Sequence, residues 1–145
     1  MATQLRGRRG VVLDTMVWIY LFEDQPRYGA LCEELIALAG RGVFGGVVTP
    51  VTAAEVLVKP LREARPDLAD AYRAALAAQP NIELAKLDAQ TGFVAGALRA
   101  AYALPLPDLL QMAVALQSSR PTLVTNDKAL ARVGDVDVFL LENWL

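Results

Sequence analysis

Short runs of β-branched and aliphatic residues recur along this chain, and each is followed by a longer stretch with helical periodicity. That alternation leaves few folds open, because strands joined through helices pair in parallel and need helices on both faces of the sheet. Val11-Val12-Leu13 is the first run, stopped by Asp14-Thr15. Residues 43–49, 82–87, 122–125 and 136–141 are the other strand candidates, the first of them weakened by Gly45-Gly46. Tyr28, Leu31, Cys32, Leu35, Leu38 and Ala39 share a helical face closed by Gly40 and Gly42. Further helices are expected over 50–63, which Pro60 bends or ends, and over 66–79. Phe93, Val94, Ala97, Leu98 and Ala101 mark another. Pro107 opens one that buries Leu109, Met112, Ala113 and Leu116, and residues 128–132 form a short last helix. The expected fold class is α/β: one domain over residues 10–145, a central parallel sheet flanked by helices, preceded by a loose basic tail at residues 1–9.

Composition narrows the chemistry. The chain has no histidine, so no imidazole base, Ser-His-Asp or Cys-His machinery, or histidine-built zinc site is available. The one cysteine, on an apolar helical face, excludes a disulfide framework and leads to the expectation of a reducing cytoplasm. The longest charge-free run, residues 42–54, is 13 residues and contains Pro50, short of the ~20 that span a bilayer. No secretory leader is expected, because Asp14 interrupts the apolar residues that follow Arg6, Arg8 and Arg9. A hydrophobic share of 54% suits a core plus a subunit interface, and a homodimer is expected.

Four carboxylates stand at demanding positions. Asp14 ends the first strand, Asp127 follows Leu123-Val124-Thr125-Asn126, and Asp108 follows Pro107 at a helix start. Each has an ordinary explanation as a helix cap or a first-turn acid. Glu55 is harder to explain so, since Val51, Thr52 and Val58 occupy three of its four helical neighbours and only Lys59 offers an ion pair. In a parallel α/β sheet functional groups gather beyond the carboxyl ends of the strands, where all four can meet. Four like charges in one pocket repel unless a cation joins them. An oxygen-rich set without thiolate or imidazole is a ligand set for Mg²⁺ or Mn²⁺, with Thr15, Thr125 and Asn126 placed to aim the carboxylates.

Val-Val-Leu-Asp14-Thr15, the segment from Thr49-Pro50 through Glu55-Val56-Leu57, Leu106-Pro107-Asp108, and Leu123-Val124-Thr125-Asn126-Asp127 together resemble the PIN domain, most closely the VapC-type ribonuclease toxins of toxin–antitoxin pairs. The likeness runs over residues 11–141. It implies a Rossmann-like parallel sheet, a homodimer, a cognate antitoxin protein, and cleavage of RNA phosphodiester bonds by water activated on Mg²⁺ or Mn²⁺. The acidic quartet maps onto Asp14, Glu55, Asp108 and Asp127, with Thr125 in support. Many relatives carry a further acid or polar group one turn after the helix acid, whereas Leu109, Gln111 and Met112 follow here, which leaves one ion or two open. Gln111 is read as orienting water or RNA.

Net charge is −2, which at first disfavours nucleic acid. Setting the four proposed ligands aside from the 16 acids leaves 12 against 14 Lys and Arg. Lys59, Arg62 and Lys128 are the assigned RNA contacts, with Arg6, Arg8 and Arg9 as further candidates. Two rivals remain: a PIN-like module that binds without turnover, and a phospho-acceptor receiver domain. The receiver reading lacks the acid pair expected after its first strand and the lysine expected after its last.

Overall fold

A computed structural model describes residues 1–145 as one parallel five-stranded sheet with helices on both faces. The strands are β1 (Val11–Leu13), β2 (Gly46–Val48), β3 (Ile82–Leu84), β4 (Thr122–Thr125) and β5 (Asp137–Leu140). Their order is β3-β2-β1-β4-β5. Strand order therefore reverses between β1 and β4, which are paired through Val12–Leu123 and Leu13–Val124. In such sheets the crevice at that reversal is where ligands bind. A receiver-type sheet has the order 2-1-3-4-5 instead, so this topology removes the receiver rival.

The helices are α1 (Ala2–Leu5), α2 (Thr15–Phe22), α3 (Gly29–Gly40), α4 (Pro50–Arg62), α5 (Pro66–Ala78), α6 (Ala89–Ala101) and α7 (Leu106–Ala115), with 3₁₀ turns at Lys128–Arg132 and Leu141–Trp144. Alternation along the strands divides the core. Val11, Leu13, Val48 and Val124 join Trp18, Leu35, Val56 and Leu76 on one face. Val12, Val47 and Leu123 join Leu98, Leu109 and Met112 on the other. Both faces of the central strands are buried, which is why they read as unbroken apolar runs. Cys32 is core, and burial pushes its thiol up to about 12.

The structure departs from expectation in four places. The loose tail is not loose: Leu5 is fully buried in the core, and the Arg8 guanidinium donates to Gln4 O at 2.9 Å, Thr122 Oγ1 at 2.8 Å and Asp137 Oδ2 at 2.7 Å. Arg8 also lies 4.9 Å from the centre of the Phe139 ring, so a charge that looked free in sequence is spent on the far edge of the sheet. Second, α2 has no periodicity, because Thr-Met-Val-Trp-Ile-Tyr-Leu-Phe is apolar all round. Third, β2, β3 and β5 are shorter than the runs that announced them. Gly46 nevertheless belongs to β2, where a Cβ would meet Ile82 Cγ1 at 3.1 Å. Fourth, α7 ends at Ala115, so Leu116, expected on its buried face, falls at the cap and is only half-buried. Asp88 caps α6 at Ala89 by accepting from the Thr91 N–H. Pro60 is tolerated near the end of α4, which stops two residues later. No helix is long and apolar enough to cross a membrane.

Candidate active site

Asp14 leaves the end of β1 with extended backbone and opens α2, so strand and helix together aim its side chain at the β1–β4 reversal. It is 5% exposed, and a buried carboxylate is tolerated only where donors replace water. Three do so. Oδ1 accepts from the Thr15 N–H at 2.7 Å and from Gln111 Nε2 at 2.7 Å, and Oδ2 accepts from Thr125 Oγ1 at 2.6 Å. Asp14 therefore caps α2 and also faces the strand-order reversal, where its second oxygen is held by Thr125.

Thr125 closes β4 and does two jobs, since its oxygen also accepts the Asp127 N–H at 3.1 Å. Asp127 in turn caps the following 3₁₀ turn through Ala129 N–H at 3.0 Å. Glu55 lies in the second turn of α4, a helix begun by Thr49 as cap and Pro50. Lys59 does not pair with it: the Lys59 ammonium is 2.9 Å from Glu23 Oε1 instead. Glu55 Oε1 accepts from Thr15 Oγ1 at 3.1 Å, so Thr15 touches Asp14 through its backbone and Glu55 through its side chain.

Asp108, in the first turn of α7, makes no capping hydrogen bond. Its carboxyl is pushed up to about 6, first by burial and then by the charges of Asp14, Asp127 and Glu55. Four acids from four separate elements thus share one electrostatic site at the carboxyl edge of the sheet. No three of the acids are grouped closely enough to hold a metal ion between them. Oxygen is the only donor type they offer, the type that hard cations take. The donor set fits Mg²⁺ or Mn²⁺.

The polar surroundings only partly follow the sequence reading. Thr15 and Thr125 hydrogen-bond to carboxylates of the quartet. Asn126 does not: its Oδ1 accepts the Glu142 N–H at 3.1 Å and its own N–H points at Met16 Sδ at 2.9 Å, so it ties the C-terminal turn to the site's rim. Gln111 is 2% exposed and faces Asp14, which removes it from any role in touching water or RNA. Thr49 and Thr52, buried behind it, went unremarked as site residues. A lone glutamine among Leu109, Met112, Ala113 and Val114 on a buried helix face was the available signal.

Among the assigned cations, Lys128 adjoins Asp127 at the rim and pairs with Glu142 Oε1 at 3.0 Å. Lys59 lies one turn beyond Glu55, and exposed Arg62 stands in the last turn of α4. Between α2 and α4 a groove of about 290 Å³, walled by Ile19, Phe22, Val56, Pro60 and Tyr72, opens beside Glu55.

The family model described as the PIN domain matches residues 11–136. No curated protein sequence matches the chain significantly. Among solved structures, a chain of VapBC2 from Rickettsia felis bound to a promoter DNA fragment is similar, with TM-score 0.72 and 17% identity over 92% of this chain and 98% of that one. A chain of a toxin–antitoxin complex from Klebsiella pneumoniae has TM-score 0.69 and 22% identity over 90% and 97%. A chain of DNA-bound VapBC from Salmonella typhimurium has TM-score 0.70 and 18% identity over 90% and 97%. At these identities the likeness speaks for the fold.

Proposed function

The chain belongs to the PIN-domain family, and from that premise we propose that it is a Mg²⁺- or Mn²⁺-dependent endoribonuclease, the toxin of a toxin–antitoxin pair. The observation that carries the reading is the gathering of Asp14, Asp127 and Glu55 around Asp108, whose carboxyl is raised first by burial and then by those three charges, a concentration of negative charge that a divalent ion would relieve. Asp14, Glu55, Asp108 and Asp127 would hold one ion or two. Such ions polarise a phosphodiester and acidify water at neutral pH, which suits a chain without histidine.

The protein's own residues supply orientation and exclusion. Thr125 and Thr15 hold Asp14 in one rotamer and link it to Asp127 and Glu55. Lys128, beside Asp127, with Lys59 and Arg62 along α4, would meet the RNA phosphates, to which their Coulombic attraction is independent of sequence. The groove beside Glu55 supports the seat of an inhibitory segment of the antitoxin, whose occupancy would cover the site. The proposed homodimer rests on the high apolar share of the chain and on the family resemblance, and light scattering tests it. A reducing cytoplasm remains the proposed setting for the single thiol.

RNA cleavage that stops in EDTA, returns with Mg²⁺ or Mn²⁺ and is absent in Asp14→Asn is the expected result. RNA binding without any turnover under all these conditions would instead establish the non-catalytic module.

A further inference from the structure

Behind the four acids runs a buried polar chain that the cleavage reading does not use. Gln111 Oε1 accepts from Thr49 Oγ1 at 3.0 Å and from Thr52 Oγ1 at 3.2 Å, while its Nε2 donates to Asp14 Oδ1 at 2.7 Å. Thr52 Oγ1 is in turn 2.9 Å from Thr15 Oγ1, which reaches Glu55. Thr49, Thr52 and Gln111 are each at most 2% exposed, so none of these groups has water as an alternative partner. The amide has only one workable orientation. Reversed, it would set Oε1 against the carboxylate and Nε2 against two hydroxyls that lie there as donors.

Counting acceptor positions shows what this accomplishes. A carboxylate offers about two per oxygen. Oδ1 of Asp14 has both filled, by the Thr15 N–H and by Gln111, whereas Oδ2 has one filled by Thr125. Only Oδ2 retains a free position for an incoming cation.

We propose that Gln111, braced by Thr49 and Thr52, is a positioning residue that saturates Asp14 Oδ1 and so makes Asp14 a one-oxygen ligand. The inference rests on the metal-dependent reading above. It has a consequence for cation choice. Ca²⁺ accepts carboxylates through both oxygens in flexible geometries, while Mg²⁺ demands a strict octahedron. An Asp14 with Oδ1 occupied is built for the smaller ion. Without Gln111, Oδ1 is freed and the carboxylate gains freedom to turn.

The test is Mn²⁺ binding to the full chain, followed by the loss of free-ion EPR signal, with Mg²⁺ and Ca²⁺ as competitors. Gln111→Leu and Thr52→Val are expected to weaken Mn²⁺ binding about tenfold or more, the range for residues that orient metal ligands. Ca²⁺ should compete better against Mg²⁺ in both than in the wild type, and Thr52→Ser should restore the wild-type order. Thr52→Val exchanges a hydroxyl for a methyl, so it keeps the test open if Gln111→Leu does not fold. Should both variants fold and bind all three ions as the wild type does, the positioning role is overturned while the nuclease reading survives. A wild-type protein that binds no Mn²⁺ overturns both.

Discussion

The Thr125 hydroxyl donates to Asp14 Oδ2 at 2.6 Å and accepts the Asp127 N–H at 3.1 Å, so one side chain at the end of β4 joins two acids of the site. The pairing of β4 with β1 makes this contact, and it lies at the reversal of strand order. Thr125→Val keeps the shape but removes the donor, leaving a buried carboxylate oxygen and a backbone N–H short of partners. We expect a loss of about 1–3 kcal/mol in urea unfolding, a fall in RNA cleavage of at least tenfold, and recovery of both in Thr125→Ser. Cleavage unchanged in Thr125→Val would show that Asp14 needs no such support.

Asp108 makes stability depend on pH in a definite direction. Its carboxyl is raised from 3.8 to about 6 in the folded protein, so the native state holds this proton more tightly than the unfolded chain does. Below about 4 both states are protonated and the group has no effect. Between about 4 and 6 the unfolded chain ionises first, and the native state loses stability as pH rises; above 6 the loss is complete. Urea unfolding in EDTA at pH 4 and pH 7 should show this decline in the wild type and a smaller one in Asp108→Asn. Saturating Mg²⁺ should reduce it, because a cation favours the ionised form. An identical pH profile for the two proteins would refute the raised Asp108 carboxyl.

Lys128 tests the proposed RNA contact separately from the proposed cleavage. In an Asp14→Asn background that cannot cleave, Lys128→Ala should weaken RNA binding alike for different sequences. It should also lower the slope of log affinity against log salt by about one unit or less. A change confined to one RNA sequence would point to base recognition instead.

Arg8 predicts a separation of stability from activity. Its guanidinium is nearly buried and satisfies Gln4 O, Thr122 Oγ1 and Asp137 Oδ2 together, with Asp137 itself half exposed. Arg8→Ala should cost about 2 kcal/mol in urea unfolding, below the range for fully buried pairs because water reaches Asp137. Cleavage by the folded fraction should be unchanged, since the contact lies at the opening of β4 and β5 and the acids lie beyond the carboxyl ends. Lost activity at full folding would place the N-terminal segment in the site's support.

Much of the fold is legible from local pattern. Alternating runs announce a parallel sheet, and Asp88, Pro50 and Pro107 mark helix starts through chemistry confined to one turn. α2 escapes because a helix that is apolar on every side shows no period, and the N-terminal residues mislead because three arginines near a terminus resemble a solvated tail until a partner is known.

By itself, then, the sequence determined that strands alternate with helices and that acids stand at strand ends and helix starts, since backbone preference and amphipathic period act over a few residues. Which groups meet was decided only by tertiary structure. Gln111 reaches Asp14 across 97 positions, Lys59 chooses Glu23 over Glu55, and Asn126 turns away to Glu142. Those choices follow from the placement of β1 between β2 and β4, the packing of α7 against β1, and the packing of α4 against α2 and α7. No short window records that placement, because a hydrogen bond depends on ångströms of distance, and proximity in space is set by the whole sheet.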